Sequence, residues 1–103
     1  MGLLKEVNGQ ELDQMIADGT KVFVDFYSNS CGPCKMLAFV LEDVAKTVEG
    51  VEVVKINFDT NKETMEKYGV SAYPTMILFE NGEEAQRMKG LQQKPAIIKA
   101  IQG

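Results

Sequence analysis

KVFVDFYSNSCGPCKM, residues 21–36, joins a β-branched and aromatic run to two cysteines separated by two residues. The run suits a strand buried on both faces. Beyond the cysteines, apolar residues recur at Leu37, Val40, Leu41, Val44 and Val48, the spacing of an amphipathic helix reaching residue 49 and ended by Gly50. Upstream, a short strand at residues 3–5 leads to Asn8, a good N-cap, and to a helix that buries Leu12, Met15 and Ile16 and stops at Gly19. Downstream, residues 51–58 form a second buried strand, Asn61 caps a short helix to about Lys67, and the loop YGVSAYP follows. Thr75–Glu80 is strand-like, Asn81-Gly82 marks a tight hairpin, and Glu83–Lys89 returns as a more polar strand. Gly90 breaks it, and a closing helix with Pro95 in its first turn buries Ile97, Ile98 and Ile101. The order βαβαβα then ββα predicts an α/β fold with a mixed central sheet and helices on both faces. At 103 residues the whole chain, 1–103, is expected to be one domain, long enough to bury a core without staples.

Composition narrows the chemistry. An apolar fraction of 45% with 25% charged residues is that of an ordinary globular protein. The chain has no histidine, which excludes Ser-His-Asp, Cys-His and His-ligated metal sites. A formal charge of −4 argues against broad nucleic-acid binding, which needs a cationic face to displace counterions. No apolar stretch is long enough to span a bilayer, and the N-terminal residues carry neither a signal-peptide core nor a myristoylation pattern. A cytosolic protein with no membrane association is the expectation.

The two cysteines, Cys31 and Cys34, are a poor staple, because so small a loop restricts the unfolded chain little. They are also half of what a mononuclear zinc or iron–sulfur site needs. No metal is expected, and what remains is a dithiol that opens and closes. Its placement between a strand and a helix start matters more than the motif. Unpaired N–H groups and the positive end of the helix dipole stabilise a thiolate there. Cys31, on the loop side, is expected to be the exposed nucleophile, and Cys34, further into the helix, the shielded thiol that acts second. Asp25 interrupts an otherwise apolar strand. Buried, its carboxyl would have a raised pKa and serve as the proton acceptor for Cys34; the alternative is a strand residue facing solvent or paired with a lysine. Lys55 is similarly out of place within VEVVKINF and would partner Asp25 if the two strands are adjacent, or else reach solvent.

VDFYSNSCGPCKM, KINFDTN, YGVSAYPT, LFENG and the later Gly90 together resemble the thioredoxin family, in its order and approximate spacing, over essentially the whole chain. The resemblance implies the thioredoxin fold and a protein-disulfide reductase working through a reversible Cys31–Cys34 disulfide. The resemblance also implies a lowered thiol pKa in the CxxC. The resemblance further implies that Pro74 is cis and lies against the CxxC, and that Tyr73, Pro74 and Gly90 line a docking surface with Ser30, Gly32 and Pro33. Asp25 and Lys55 match the family's buried acid and its lysine. Implied partners are disulfide-containing target proteins and a thioredoxin reductase as electron donor, with no bound cofactor and a monomeric chain. Departures are Ser30 where the family usually has tryptophan before the first cysteine, Tyr27 at a second tryptophan position, Phe39 in place of a helix-kinking proline, and Tyr73 in place of isoleucine. They ring the docking surface and bear on partner choice. A fold serving only as a binding scaffold, and a disulfide oxidase or isomerase, are the alternative readings.

Overall fold

A computed structural model describes residues 4–102. Five strands, β1 (Lys5–Glu6), β2 (Val22–Tyr27), β3 (Glu52–Asn57), β4 (Thr75–Glu80) and β5 (Glu83–Lys89), form one sheet in the order β1-β3-β2-β4-β5. β3 pairs in parallel with both β1 and β2, whereas the β2–β4 and β4–β5 pairs are antiparallel. Four α-helices accompany the sheet among the described residues: α1 (Gly9–Ala17), α2 (Gly32–Thr47), α3 (Lys62–Lys67) and α4 (Lys94–Gln102). The mixed sheet with crossovers first and a hairpin last is the architecture expected from the pattern.

Alternation along β2 assigns each residue to a face. Val22, Val24 and Phe26 enter one core with Leu12 of α1, Met65 of α3 and Ile77 of β4. Phe23 enters the other with Leu37, Leu41 and Val44 of α2 and Ile97 of α4. Helices therefore cover both faces, and β2, at the sheet centre, is buried from Val22 to Phe26. Each such large apolar side chain contributes roughly 1.5–3 kcal/mol by leaving water. Asp25 shares the parity of Phe23 and so points toward α2.

Local chemistry sets the element ends. Asn8 and Glu11 form a reciprocal capping box at the start of α1. Gly9, next in line, has no room for a side chain, because a Cβ there would run into the Thr64 hydroxyl of α3. Asn81 and Gly82 turn the β4–β5 hairpin with φ of 54° and 82°, the left-handed pair that a two-residue turn requires.

Four expectations shift. The first strand is Lys5–Glu6 where residues 3–5 were expected, with Leu3 outside the described residues. α2 ends at Thr47, not residue 49, with Val48 already extended. β3 stops at Asn57 because Phe58–Thr60 winds into a 3-10 turn. Asn61 is the N-cap residue of α3, but its side chain makes no capping bond there. Its oxygen accepts the Gly9 N–H at 3.0 Å and its amide donates to the Asn57 carbonyl at 2.9 Å, so it ties α1 to the end of β3.

Candidate active site

β2 ends at Tyr27 and the chain crosses Ser28–Asn29–Ser30 to reach the start of α2. Cys31 is the N-cap residue of that helix, with extended backbone, and its sulfur accepts the Cys34 N–H at 3.1 Å. Pro33 occupies the first turn, where its missing N–H costs no hydrogen bond and its fixed φ suits the helix. Cys31 is partly exposed, while Cys34 is 4% exposed. The two are joined as a disulfide with Cα atoms 5.3 Å apart. Once reduced, a sulfur at this position sits on the free N–H groups and positive pole of a sixteen-residue helix, which favour its ionised form.

Asp25 lies below this helix start. It is 1% exposed, and among the described residues its Oδ1 has no hydrogen-bond partner. Burial raises its pKa from the ordinary 3.8 to about 7, against the opposing pull of the Lys55 charge. Lys55 faces Asp25 in the β2–β3 register, as strand adjacency would require. Its ammonium nevertheless makes no ion pair with Asp25. It stands 3.9 Å from Glu6 Oε1 and 5.5 Å from the centre of the Tyr27 ring. The Tyr27 hydroxyl donates to the same Glu6 oxygen at 2.9 Å. The long lysine stem carries its charge to this wetter cluster, where solvation is cheaper than beside a buried carboxyl, and Lys55 acts on Asp25 through space rather than by a direct ion pair. A cavity of about 150 Å³ lies between, lined by Asp25, Cys34, Lys35, Ala38, Lys55 and Tyr27 among others. Asp25 and Cys34 thus line the same cavity. A larger groove of about 580 Å³, between α1 and α3, is lined by polar residues such as Gln10, Asp13 and Lys62 and by neither cysteine.

Strand register gathers the remaining residues. Thr75 opens β4 opposite Phe26 of β2 and opposite Lys89 of β5. The cysteine loop, Pro74 and Gly90 consequently leave the sheet at the same edge. The Tyr73–Pro74 bond is cis, and the Gly90 N–H donates to the Pro74 carbonyl at 2.8 Å. Ser30, Gly32 and Pro33 are exposed, Tyr73 is half-buried with its ring 5.1 Å from that of Phe58, and Pro74 is buried. Phe39 is 74% exposed on a helix that runs without interruption. Among the described residues no group of three or more His, Cys, Asp or Glu is arranged to hold a metal ion.

Two features escape a reading by sequence. Glu6 anchors Lys55 and Tyr27 although it lies on a two-residue edge strand. Asn29, Asn57 and Asp59 interlock beside the cysteine loop: the Asn29 N–H donates to Asp59 Oδ2 at 2.9 Å, the Asn57 amide to Asn29 Oδ1 at 3.0 Å, and the Asp59 N–H to Asn57 Oδ1 at 2.8 Å. The available signal was KINFDTN, where polar residues crowd the end of a strand otherwise fit for burial.

A thioredoxin family model matches residues 3–103. A thioredoxin of Chlamydia caviae is 41% identical over 99 residues, 96% of each chain, and one of Rickettsia conorii is 40% identical over 86 residues, 82% of each. Among solved structures, a mutant thioredoxin from Halobacterium salinarum superposes with a TM-score of 0.90 at 37% identity, covering 98% of this chain and 89% of that one. Chloroplastic thioredoxin z superposes with a TM-score of 0.88 at 31% identity, over 97% and 92%.

Proposed function

This chain belongs to the thioredoxin family, and on that premise we propose how its residues divide the reaction. It is a thiol-disulfide oxidoreductase, a protein-disulfide reductase. The scaffold reading is not favoured, since Cys31 and Cys34 stand at disulfide distance within a thioredoxin chain. The Cys31 thiolate attacks one sulfur of a target disulfide, forms a mixed disulfide and expels the other target sulfur as thiolate. Cys34 loses its proton to the Asp25 carboxylate and attacks the Cys31 sulfur. That step closes the Cys31–Cys34 bond and releases the second target sulfur. Two electrons have left the dithiol for the target, so no bound cofactor is needed, and a thioredoxin reductase returns them.

Lys55 acts in this scheme by opposing, through space, the rise in the Asp25 pKa. Ser30, Gly32, Pro33, Tyr73, Pro74 and Gly90 form the docking surface for an extended target segment, to which the backbone beside Pro74 offers hydrogen bonds. The chain works as one domain over residues 1–103, as a monomer, in the cytoplasm, without nucleic-acid or membrane partners. Among the described residues no helix is long and apolar enough to cross a membrane.

One observation carries the division of labour: Cys31 caps α2 at the surface while Cys34 lies buried on the cavity wall it shares with Asp25. With the reduced protein at neutral pH, a limiting amount of iodoacetamide should label Cys31 at least about 10-fold faster than Cys34. Equal labelling rates would refute it.

A further inference from the structure

The four residues from Ser28 to Cys31 are placed by polar contacts. Within the segment, the Cys31 N–H donates to the Ser28 carbonyl at 3.2 Å and the Ser30 N–H to the Ser28 hydroxyl at 3.4 Å. Ser30 is small and exposed, so the residue next to the nucleophile contributes no apolar anchor. What holds the turn against the body of the protein is the interlock at the end of β3. Asn29 is gripped twice, at its backbone N–H by the Asp59 carboxylate and at its side-chain oxygen by the Asn57 amide. Asp59 is itself held, because its own N–H donates to Asn57 Oδ1. Asn57 is 8% exposed and spends both ends of its amide on this arrangement, which makes it a rigid base. The bond to the carboxylate is charge-assisted and is the strongest of the three.

Placement of this turn matters for the sulfur. Cys31 reaches the Cys34 N–H at 3.1 Å only with the extended backbone of an N-cap residue, φ −97° and ψ 109°. The residues immediately before it decide where that backbone enters the helix. We propose that Asn57 and Asp59 are positioning residues for the Cys31 nucleophile, clamping Asn29 so that the turn holds the Cys31 sulfur over the first N–H groups of α2. This role rests on the reading of Cys31 as the attacking thiol.

Asp59 brings a charge as well as an acceptor: after burial, its charge is the second cause of the raised Tyr73 pKa. The test therefore uses two substitutions at that residue. Asp59→Ala removes charge and acceptor together, whereas Asp59→Asn removes the charge and keeps an amide oxygen for the Asn29 N–H. Asn57→Ala removes the base of the clamp. Asn29→Ala, at an exposed position, keeps the N–H and loses only the second grip. The readout is the rate of iodoacetamide modification at Cys31 in the full reduced chain, followed by mass spectrometry from about pH 5 to about pH 9.

Asp59→Ala and Asn57→Ala should slow labelling at neutral pH by roughly 10-fold and move its midpoint to higher pH, since small misplacements of a reacting group are costly. Asp59→Asn should stay within about twofold of the parent, and Asn29→Ala should fall between, about threefold slower. Equal rates for Asp59→Ala and Asp59→Asn would overturn the clamp, assigning any effect to charge, and so would parent-like rates in both. If Asn57→Ala does not fold, the Asp59 pair and Asn29→Ala decide alone, and parent-like rates in both Asp59 variants still overturn the proposal. The parent separates the two levels of inference. Equal labelling of Cys31 and Cys34 there removes the nucleophile reading and the clamp with it, while selective labelling with unaffected variants removes the clamp only.

Discussion

Replacing Asp25 with asparagine should stabilise the oxidised protein at alkaline pH and lose that advantage in acid. Asp25 binds its proton more tightly in the folded chain, with a pKa of about 7, than in the unfolded chain at the ordinary 3.8. Below the lower value both states carry the proton and burial costs no charge. Between the two values the unfolded chain ionises first, so stability falls as pH rises, and above the upper value the whole penalty is present. At about 1.4 kcal/mol per pKa unit the penalty is roughly 4 kcal/mol. An asparagine amide in the same apolar site leaves polar atoms unsatisfied and costs about 1–3 kcal/mol, so the net gain at high pH is smaller. That amide cost does not titrate. Urea unfolding of both proteins with the disulfide closed, at about pH 3 and about pH 9, should therefore show their difference in stability changing by roughly 4 kcal/mol between the two conditions. A parent-to-variant difference that stays the same at both pH values would refute a buried carboxyl ionising near neutrality.

Two further substitutions probe the surroundings. Lys55→Met removes the one charge that opposes the rise in the Asp25 pKa, so the pH at which Asp25 ionises should move further up, read from the Asp25 carboxyl signal by NMR titration. Gly9→Ala forces a methyl group against Thr64 where α1 and α3 touch, and should cost about 1–3 kcal/mol in urea unfolding; an unchanged midpoint would show that the two helices separate freely.

Much of the fold was legible because its signals are local. VFVDFY suits a buried strand, the Leu37–Val44 spacing an amphipathic helix, and Asn81-Gly82 a tight turn. The element ends were less legible, since capping depends on contacts as well as residue type: Asn8 caps α1 as expected, whereas Asn61 turns away to bond Gly9. At the site, the Cys31–Cys34 pair was readable because both cysteines lie within four consecutive residues. Asp25 was conspicuous as a carboxylate in an apolar run, but its neighbours were not. Glu6 is an ordinary exposed acid in sequence, with nothing local to distinguish it from Glu63 or Glu66, and Asp59 is marked only by the crowding of polar residues in KINFDTN.

By itself the chain pointed to a redox dithiol at a helix start, singled out Asp25 as a carboxylate within an apolar strand, and set an α/β order of elements. These follow from short-range rules of periodicity, capping and thiol chemistry that act within one or two turns. Tertiary structure decided which groups meet. The parallel register sets Lys55 opposite Asp25, yet the cost of burying an ammonium sends its charge to Glu6 and Tyr27. Antiparallel pairing brings Pro74 and Gly90 to the cysteine edge, and the end of β3 supplies the grip on Asn29. Such contacts join residues from sixteen to forty-nine positions apart, and their energies depend on burial and distance, which no local pattern encodes.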